Sequence, residues 1–150
     1  MDTNNSMVQD ASFGIIPLKK EDGQWRVFII QHTGGHWGFP KGHPDSEHEE
    51  PKAVAQRELT EETGLHVTEF LAIEPFYENF QCVCQSSHCV YYGQFVHKVV
   101  TYFAALVDGD PLLCPKEVSN GTWARVDEAA FKFQYPAQKL LLKELEKRLM

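Results

Sequence analysis

The stretch that decides the fold is Gly42–Leu65, which reads GHPDSEHEEPKAVAQRELTEETGL. Its second half predicts a helix from Pro51 to about Thr63. Proline suits the first position of a helix, and Gly64 suits the position directly after the last turn. The Gly, Pro and Asp residues in the first half predict a loop that leads into this helix.

Three glutamates of the predicted helix share the side that also carries its apolar residues. At about 100° per residue, Glu61 and Glu62 fall within about 60° of Glu58. A helix that uses glutamates only for solubility places them opposite its apolar side. The like-charge pairs cost about 0.2–0.5 kcal/mol each, and a divalent cation with oxygen ligands would offset that repulsion. The pattern indicates a Mg²⁺ site; the alternative is a solvated acidic surface beside Arg57.

The order of residues around these glutamates resembles the signature of the Nudix hydrolases, G-x5-E-x7-R-E-U-x-E-E-x-G-U, where U is aliphatic. The matching residues are Gly42, Glu49, Arg57, Glu58, Leu59, Glu61, Glu62, Gly64 and Leu65. One extra residue separates the first glycine from the first glutamate. It falls in a loop, where an insertion costs little, and it leaves open whether Glu49 has the family's usual supporting role. The resemblance implies an α+β protein with the Nudix fold, a mixed β-sheet sandwiched between α-helices (an α/β/α sandwich).

The resemblance also implies a hydrolase that depends on Mg²⁺ or Mn²⁺. The implied metal ligands are Glu58, Glu61, Glu62 and the carbonyl of Gly42. Arg57 would orient Glu58 or a neighbouring carboxylate by paired hydrogen bonds. Either Glu58 or Glu117 would take the proton from the attacking water, and the sequence does not choose between them.

Two further segments resemble the asymmetrically cleaving diadenosine tetraphosphate hydrolases among the Nudix enzymes. HWGFPKGH at residues 36–43 is similar to their W-x-x-P-K-G-H segment, and KVVTYF at 98–103 is similar to a strand that carries a lysine and an aromatic residue towards the substrate. Glu117, a few residues before Trp123, is similar to an acidic residue of that group. The implied reaction converts diadenosine tetraphosphate and water into ATP and AMP.

A polyphosphate chain requires positive groups, and a nucleobase requires an aromatic surface on which to stack. The candidates for substrate binding are Lys41, His43 and Lys98 for the phosphates, and Tyr102, Tyr77 and Phe133 for the base. For each aromatic residue the alternative is packing in the core, which we expect for Trp37 and Phe39.

The rest of the chain predicts a single domain over residues 11–150 behind a frayed tail of residues 1–10. The pattern predicts a hairpin of Ser12–Leu18 and Trp25–Gln31, a long strand over 89–107, a strand at Gly121–Val126, a short helix from Asp127 and an amphipathic helix at Ala137–Leu149. The remaining β-rich run, residues 65–80, predicts further strands of the same sheet.

The composition limits the possible partners of the chain. Its 150 residues include 14 Lys and Arg against 21 Asp and Glu, a net charge of −7. This acidic balance disfavours duplex nucleic acid, which requires clustered basic residues. No apolar run approaches the ~20 residues of a membrane span, and the polar first residues do not resemble a signal peptide. We therefore expect a cytoplasmic monomer that acts on a small nucleotide.

Two alternative functions stay open within the Nudix family. One is hydrolysis of another substrate, such as a nucleoside triphosphate, ADP-ribose or a 5′-triphosphorylated RNA. The other is a non-catalytic, nucleotide-sensing Nudix domain. A sensor is expected to lose the signature Arg or Glu residues, which this chain retains.

A different class of site is suggested by the cysteines, Cys82, Cys84, Cys89 and Cys114. A structural zinc site usually takes a C-x(2–4)-C pair and a second, separated pair. Cys-Val-Cys is too tight for that spacing, and the distant cysteine is isolated. We therefore expect free thiols in or beside a hairpin.

Overall fold

The computed structural model describes residues 7–83 and 91–150. The elements in chain order are β1 (Val8–Glu21), β2 (Gln24–His32), β3 (Trp37–Gly38), β4 (Lys41–Gly42), α1 (Pro51–Thr63), β5 (His66–Phe70), β6 (Phe76–Val83), β7 (Phe95–Asp108), β8 (Val118–Arg125), α2 (Val126–Lys132) and α3 (Pro136–Leu149). No helix in these two ranges is long and apolar enough to cross a membrane.

A mixed sheet forms the middle of the molecule. Within the described residues it has eight strands, with the path β3-β2-β1-β7-β5, while β4 pairs with β1, β6 with β7 and β8 with β2. Its central pair is parallel, since β1 runs beside β7 from Val8 opposite Val96 to Leu18 opposite Leu106. The other pairs are antiparallel.

Each face of the sheet carries its own apolar core. Alternate residues of a strand point to opposite faces, and adjacent Ile15 and Ile16 accordingly belong to different clusters. One cluster contains Leu59 from α1, and the other contains Ala129 from α2 and Leu142 from α3. The sheet therefore lies between helices, which confirms the predicted α/β/α sandwich.

Helix α1 begins and ends where its sequence predicts. Pro51 is at its start, and Gly64 follows its end with φ of 77°, the left-handed conformation that glycine adopts without strain. The buried residues of the helix are Val54, Ala55, Leu59, Glu62 and Thr63. Of the three glutamates that the helical spacing predicts on the apolar side, only Glu62 is among the buried residues of the helix.

The strands extend further than their apolar runs predict. Residues 8–10, expected in the frayed tail, belong to β1 and pair with Val96–Lys98, because a neighbouring strand gives their polar backbone its hydrogen bonds. Residues 1–6 lie outside the described part of the chain. Residues 19–24, which separate the two strands of the predicted hairpin, mostly join those strands, and the turn shrinks to Asp22 and Gly23, whose φ values of 52° and 78° are left-handed. Strand β7 is the exception among these, because it begins at Phe95 and the sequence predicts a start at residue 89.

Candidate active site

Arg57 on helix α1 links the loop before the helix to the glutamates on the helix. Its Nε and Nη2 donate to the two carboxylate oxygens of Glu49 at 2.9 and 3.1 Å. Nη2 also donates to the carbonyl of His43 at 2.9 Å, and Nη1 donates to Glu58 Oε2 at 3.0 Å. These contacts hold the pKa of Arg57 above its ordinary value, chiefly through the hydrogen bonds to Glu49. The guanidinium therefore stays charged and fixes three parts of the site relative to one another.

The contact with Arg57 answers the question that the one-residue insertion raised about Glu49. Besides the paired hydrogen bonds, Glu49 Oε1 accepts from the backbone N–H of Asp45 at 2.8 Å. The hydrogen bond from Arg57 and the one from the Asp45 backbone lower the pKa of this carboxyl. The loop accommodates the extra residue, and Glu49 still contacts Arg57.

Gly42 in strand β4 lies directly against the carboxylate of Glu58. A Cβ atom built at this glycine would overlap all three carboxyl atoms of that side chain. The close approach explains why glycine stands here, since any other residue would force the carboxylate away from the strand. Strand and helix thereby bring the backbone of Gly42 and the Glu58 carboxylate into the same corner.

Glu62 is the most deeply buried charged group of this corner, with 4% of the residue exposed. Its Oε1 is buried without a hydrogen-bond partner among the described residues. Burial, a hydrogen bond with Glu58, and the charges of Glu58 and Glu117 raise the pKa of Glu62 to about 9, and Lys41 opposes the increase. Lys41 offsets only part of these effects, and Oε1 has no positive partner in hydrogen-bond contact among the described residues.

A divalent cation would supply that partner, and the residues present fit one. Hard ions such as Mg²⁺ take carboxylate and carbonyl oxygens, which Glu58, Glu62 and Gly42 offer. Glu61 is placed differently: its side chain is 54% exposed and contacts Arg57 Nη1 at 3.4 Å. Within residues 7–83 and 91–150, no three His, Cys, Asp or Glu side chains converge closely enough to form a finished metal site.

Glu117 reaches the site through the segment before strand β8. The backbone N–H of Leu112 donates to Thr63 O at 2.7 Å, and that of Cys114 donates to Glu62 O at 3.2 Å. These bonds use carbonyls at the end of helix α1 that have no partner within the helix. The docked segment brings Glu117 to the same cleft as Glu58 and Glu62.

The cleft in front of these carboxylates has a volume of ≈ 540 Å³. Its lining includes the carboxylates Asp45, Glu58, Glu62 and Glu117 and the positive groups Lys41 and Lys116. His43 also lines the cleft, and its Nε2 lies 3.0 Å from Asp10 Oδ1. The structure thus brings together most of the catalytic and phosphate-binding residues that the sequence predicts.

Asp10, His32, His36 and Lys116 are neighbours of the site that the sequence did not single out as binding residues. The rings of His32 and His36 stack with centroids 4.6 Å apart, and burial is the first cause that lowers the pKa of His32 to about 4. The one sequence signal for this pair was the histidine-rich composition of the loop. No sequence signal marked Asp10, because its contact with His43 depends on the pairing of β1 with β4.

A second cavity, of ≈ 560 Å³, adjoins the first and shares His32, His36 and Lys41 with it. Its aromatic walls come from Phe39, Phe80, Tyr102 and Tyr135, and its polar groups include Glu78, Lys98 and Gln138. The hydroxyl of Tyr102 donates to Glu78 Oε1 at 3.4 Å. Burial of Glu78 is the main cause that raises the pKa of its carboxyl.

The structure places Tyr102 and Lys98 at this cavity but not the other two aromatic candidates. Phe133 is 2% exposed and packs edge-to-face on Phe39, so it is a core residue. Tyr77 is 62% exposed and alternates with the cavity residue Glu78 along β6, so it points to the opposite face of the sheet. Neither ring offers a stacking surface here, which corrects that expectation for both residues.

The cysteines fall partly outside the structural description. Cys82 and Cys114 are free thiols, and they lie in β6 and in the segment that docks on α1. Cys84 and Cys89 belong to residues 84–90, which lie outside the described residues. The zinc hypothesis therefore gains no support from the two cysteines that the structure describes.

Comparison with solved structures shows the same fold in several Nudix proteins. The structure is similar to an Ap4A hydrolase binary complex of C. elegans, with a TM-score of 0.70 and 20% identity over 93% of this chain and 97% of that one. It is also similar to the NUDIX domain of Shewanella oneidensis NrtR complexed with ADP ribose, with a TM-score of 0.65 and 18% identity over 100% of this chain and 94% of that one.

Sequence comparison finds a nearer relative over a shorter segment. The chain is 36% identical over 97 residues to mRNA-decapping enzyme subunit 2 of Arabidopsis thaliana, a match that covers 63% of this chain and 22% of that protein. The chain spans about a quarter of the length of the curated relatives it matches. The family model for the NUDIX domain matches residues 8–145. This chain therefore belongs to the Nudix hydrolase family.

Proposed function

We propose that this Nudix hydrolase cleaves dinucleoside polyphosphates, and that it converts diadenosine tetraphosphate and water into ATP and AMP. The observation that carries the proposal is the pair of adjoining cavities, one with carboxylates and one with aromatic walls, which share His32, His36 and Lys41. A ligand with a nucleobase at one end and a long phosphate chain fits this division. The fold likeness to an Ap4A hydrolase agrees with the proposal.

Nudix enzymes generally use divalent cations such as Mg²⁺ or Mn²⁺. In the proposed site Glu58, Glu62 and the Gly42 carbonyl would hold the metal. Glu61 would complete the set, since its carboxylate contacts the same Arg57 nitrogen as Glu58. When bound, the ion would supply positive charge for the phosphates and acidify a water for attack.

The side chains of the two adjoining cavities have separate tasks in the proposed reaction. Lys41, Lys98 and His43 bind the phosphate chain by charge-assisted hydrogen bonds. Arg57 keeps Glu58 in place through its hydrogen bond of 3.0 Å. We assign proton removal from the attacking water to Glu117, because it is an exposed residue that lines the cleft, whereas the carboxylate of Glu58 is already bound by Arg57.

The base would lie in the aromatic cavity. Tyr102 stays in the proposed binding set because it lines the cavity, although only 2% of the residue is exposed. Phe80 and Tyr135 line the same cavity with 44% and 53% of their surface exposed. Exposed rings can stack on a base for ~1–3 kcal/mol, so these two residues are better stacking candidates than Tyr77 or Phe133.

A second candidate substrate is the 5′ end of an RNA. The observation that favours it is the 36% identity to an mRNA-decapping enzyme subunit over 97 residues. The net charge of −7 disfavours a long RNA, but a capped or triphosphorylated end also combines a base with a phosphate chain. A substrate panel should therefore include capped RNA beside nucleoside triphosphates and ADP-ribose, and nucleotide binding without any turnover would indicate a sensing domain.

The test is analysis of the products formed from diadenosine tetraphosphate with Mg²⁺. We expect ATP and AMP in equal amounts, and ¹⁸O-labelled water to show which phosphorus is attacked. A Glu62→Gln variant, whose fold is checked by circular dichroism, serves as the inactive control. Two ADP per substrate would exclude the asymmetric reaction, and turnover of a capped RNA alone would establish the second candidate.

Two accompanying proposals concern the state and place of the protein. We propose that it acts as a monomer in the cytoplasm on a small nucleotide, without duplex nucleic acid or membrane as partner. Light scattering during gel filtration measures the first property. Fractionation of expressing cells measures the second.

A further inference from the structure

Gln138, near the start of helix α3, presents an unused hydrogen-bonding group at the aromatic cavity. Its side chain lines that cavity, and its Oε1 is buried without a hydrogen-bond partner among the described residues. A buried amide oxygen normally has a partner, because leaving it unpaired costs free energy. The structure therefore contains an acceptor in need of a donor, at a cavity with space for a ligand.

No described protein group supplies that donor in the structure, although Lys98 and Tyr135 line the same cavity. The carboxyl of Glu78 in the same cavity is itself an acceptor and already receives the Tyr102 hydroxyl at 3.4 Å. A methyl group at Gly38 would lie 3.6 Å from both Gln138 Nε2 and His32 Nε2, so the amide nitrogen lies against the strand next to the histidine. The amide is thus held at the boundary between the aromatic cavity and the phosphate cleft.

The chemistry of the amide points to one kind of ligand. A glutamine amide has one acceptor oxygen and two N–H donors, and it pairs in two-pronged fashion with the amino group and ring nitrogen of adenine. A purine that carries an oxygen in place of the amino group would set two acceptors against each other. Stacking alone is tolerant of base identity, so discrimination requires a polar group of this kind.

We propose that Gln138 determines base specificity by accepting a hydrogen bond from the 6-amino group of an adenine bound in the aromatic cavity. This inference rests on the proposed function, since it assumes a nucleotide whose phosphates occupy the adjoining cleft. It adds a specificity-determining residue from helix α3, which lies far along the chain from the signature helix α1.

The test compares ATP with purine riboside 5′-triphosphate, which lacks only the 6-amino group of the adenine. Calorimetry with Ca²⁺ in place of Mg²⁺ measures the two dissociation constants without requiring turnover. We expect the wild-type protein to bind ATP about tenfold more tightly, which is about 1.4 kcal/mol. Gln138→Leu should bind both ligands with the dissociation constant of the analogue, while Gln138→Glu, which keeps an acceptor oxygen, should retain part of the preference.

The control is Gln134→Leu, the same chemical change at an exposed position outside the cavity, and we expect it to keep the full preference for ATP. A wild-type protein that binds both ligands equally, or neither, would overturn the inference. So would a Gln138→Leu variant that weakens both ligands by the same factor, since that result indicates only a structural role.

Failure of the proposed function gives a different pattern. If diadenosine tetraphosphate is not hydrolysed but the ATP preference disappears in Gln138→Leu, the base assignment stands and the reaction does not. If the dinucleotide is hydrolysed with equal kcat/KM whether or not its bases carry the amino group, the reaction stands and the role of Gln138 is wrong.

Discussion

Replacing Gly42 by alanine should disable the site while the fold survives. A Cβ atom at this position would overlap the carboxylate of Glu58, which is the far end of a flexible side chain. Glu58 can yield by rotating its side chain, which is 14% exposed, and the backbone of β4 need not move. The variant should therefore lose the position of one carboxylate and retain the sheet.

The expected magnitude follows from the contacts that Glu58 gives up. Its hydrogen bond to Arg57 Nη1 at 3.0 Å is charge-assisted, and such bonds contribute about 1.5–3 kcal/mol. If that contribution acts fully in the transition state, kcat/KM falls by roughly 10- to 150-fold. Displacement of a proposed metal ligand adds to this, so we expect a loss of at least about 100-fold.

The assay is steady-state hydrolysis of the dinucleotide at several Mg²⁺ concentrations, with thermal unfolding as the check on folding. Gly34→Ala is the matched control from the same loop region, because a Cβ there would come no closer than 3.7 Å to another group. It should lose far less activity than Gly42→Ala.

A double-mutant cycle with Glu58→Ala tests the reasoning itself. If Gly42→Ala acts by displacing the carboxylate, it should cost little more once that carboxylate is gone, so the two losses should not add. Fully additive losses, or wild-type kcat/KM in Gly42→Ala alone, would refute the argument.

Three further outcomes are expected. Arg57→Lys cannot reproduce the two-pronged pairing of the guanidinium, so kcat/KM should drop about 10- to 100-fold with a minor change in the melting temperature; unchanged kinetics would show that the orientation is not needed. If Glu117 removes the proton from the attacking water, Glu117→Gln should lower kcat by about 10²–10⁴-fold with little effect on KM. A change in KM alone would show that another group removes the proton. Burial, followed by the charges of His36 and Lys41, lowers the pKa of His32 from its ordinary value of 6.5 to about 4. Between these two pH values the unfolded chain binds a proton on this histidine and the folded chain does not. The free energy of unfolding should therefore fall as the pH drops from about 6.5 to about 4. Urea midpoints across this range should fall less steeply in His32→Asn; equal slopes would contradict the assignment.

Local sequence patterns predicted much of the site. The bounds of α1 follow from Pro51 and Gly64, and the inward position of Glu62 follows from the helical period of 3.6 residues. Both depend on neighbours within a few residues along the chain. The same holds for the hydrogen bond of Arg57 to Glu58, because the two residues are adjacent on one rigid helix.

Contacts between segments that are distant along the chain could not be predicted from local sequence patterns. Whether Tyr77 or its neighbour faces the cavity depends on the register of β6 against β7, and a shift of one residue exchanges the two faces. The hydrogen bonds from Arg57 to Glu49 and to the His43 carbonyl likewise depend on how the loop before the helix folds back. The sequence pattern contains neither the register nor the path of that loop.

The sequence by itself determined the family and the sandwich fold through its resemblance to the Nudix signature, and it determined the cluster of signature residues on α1 through short, fixed spacings along one helix. Only the tertiary structure decided that Glu49 reaches Arg57 despite the extra residue, and that Phe80, Tyr135 and Gln138 share a cavity. Those side chains come from β6, from the residue before α3 and from α3 itself, and they meet because the sheet and the helix pack together. Packing of remote segments depends on the whole core, so no local pattern encodes it.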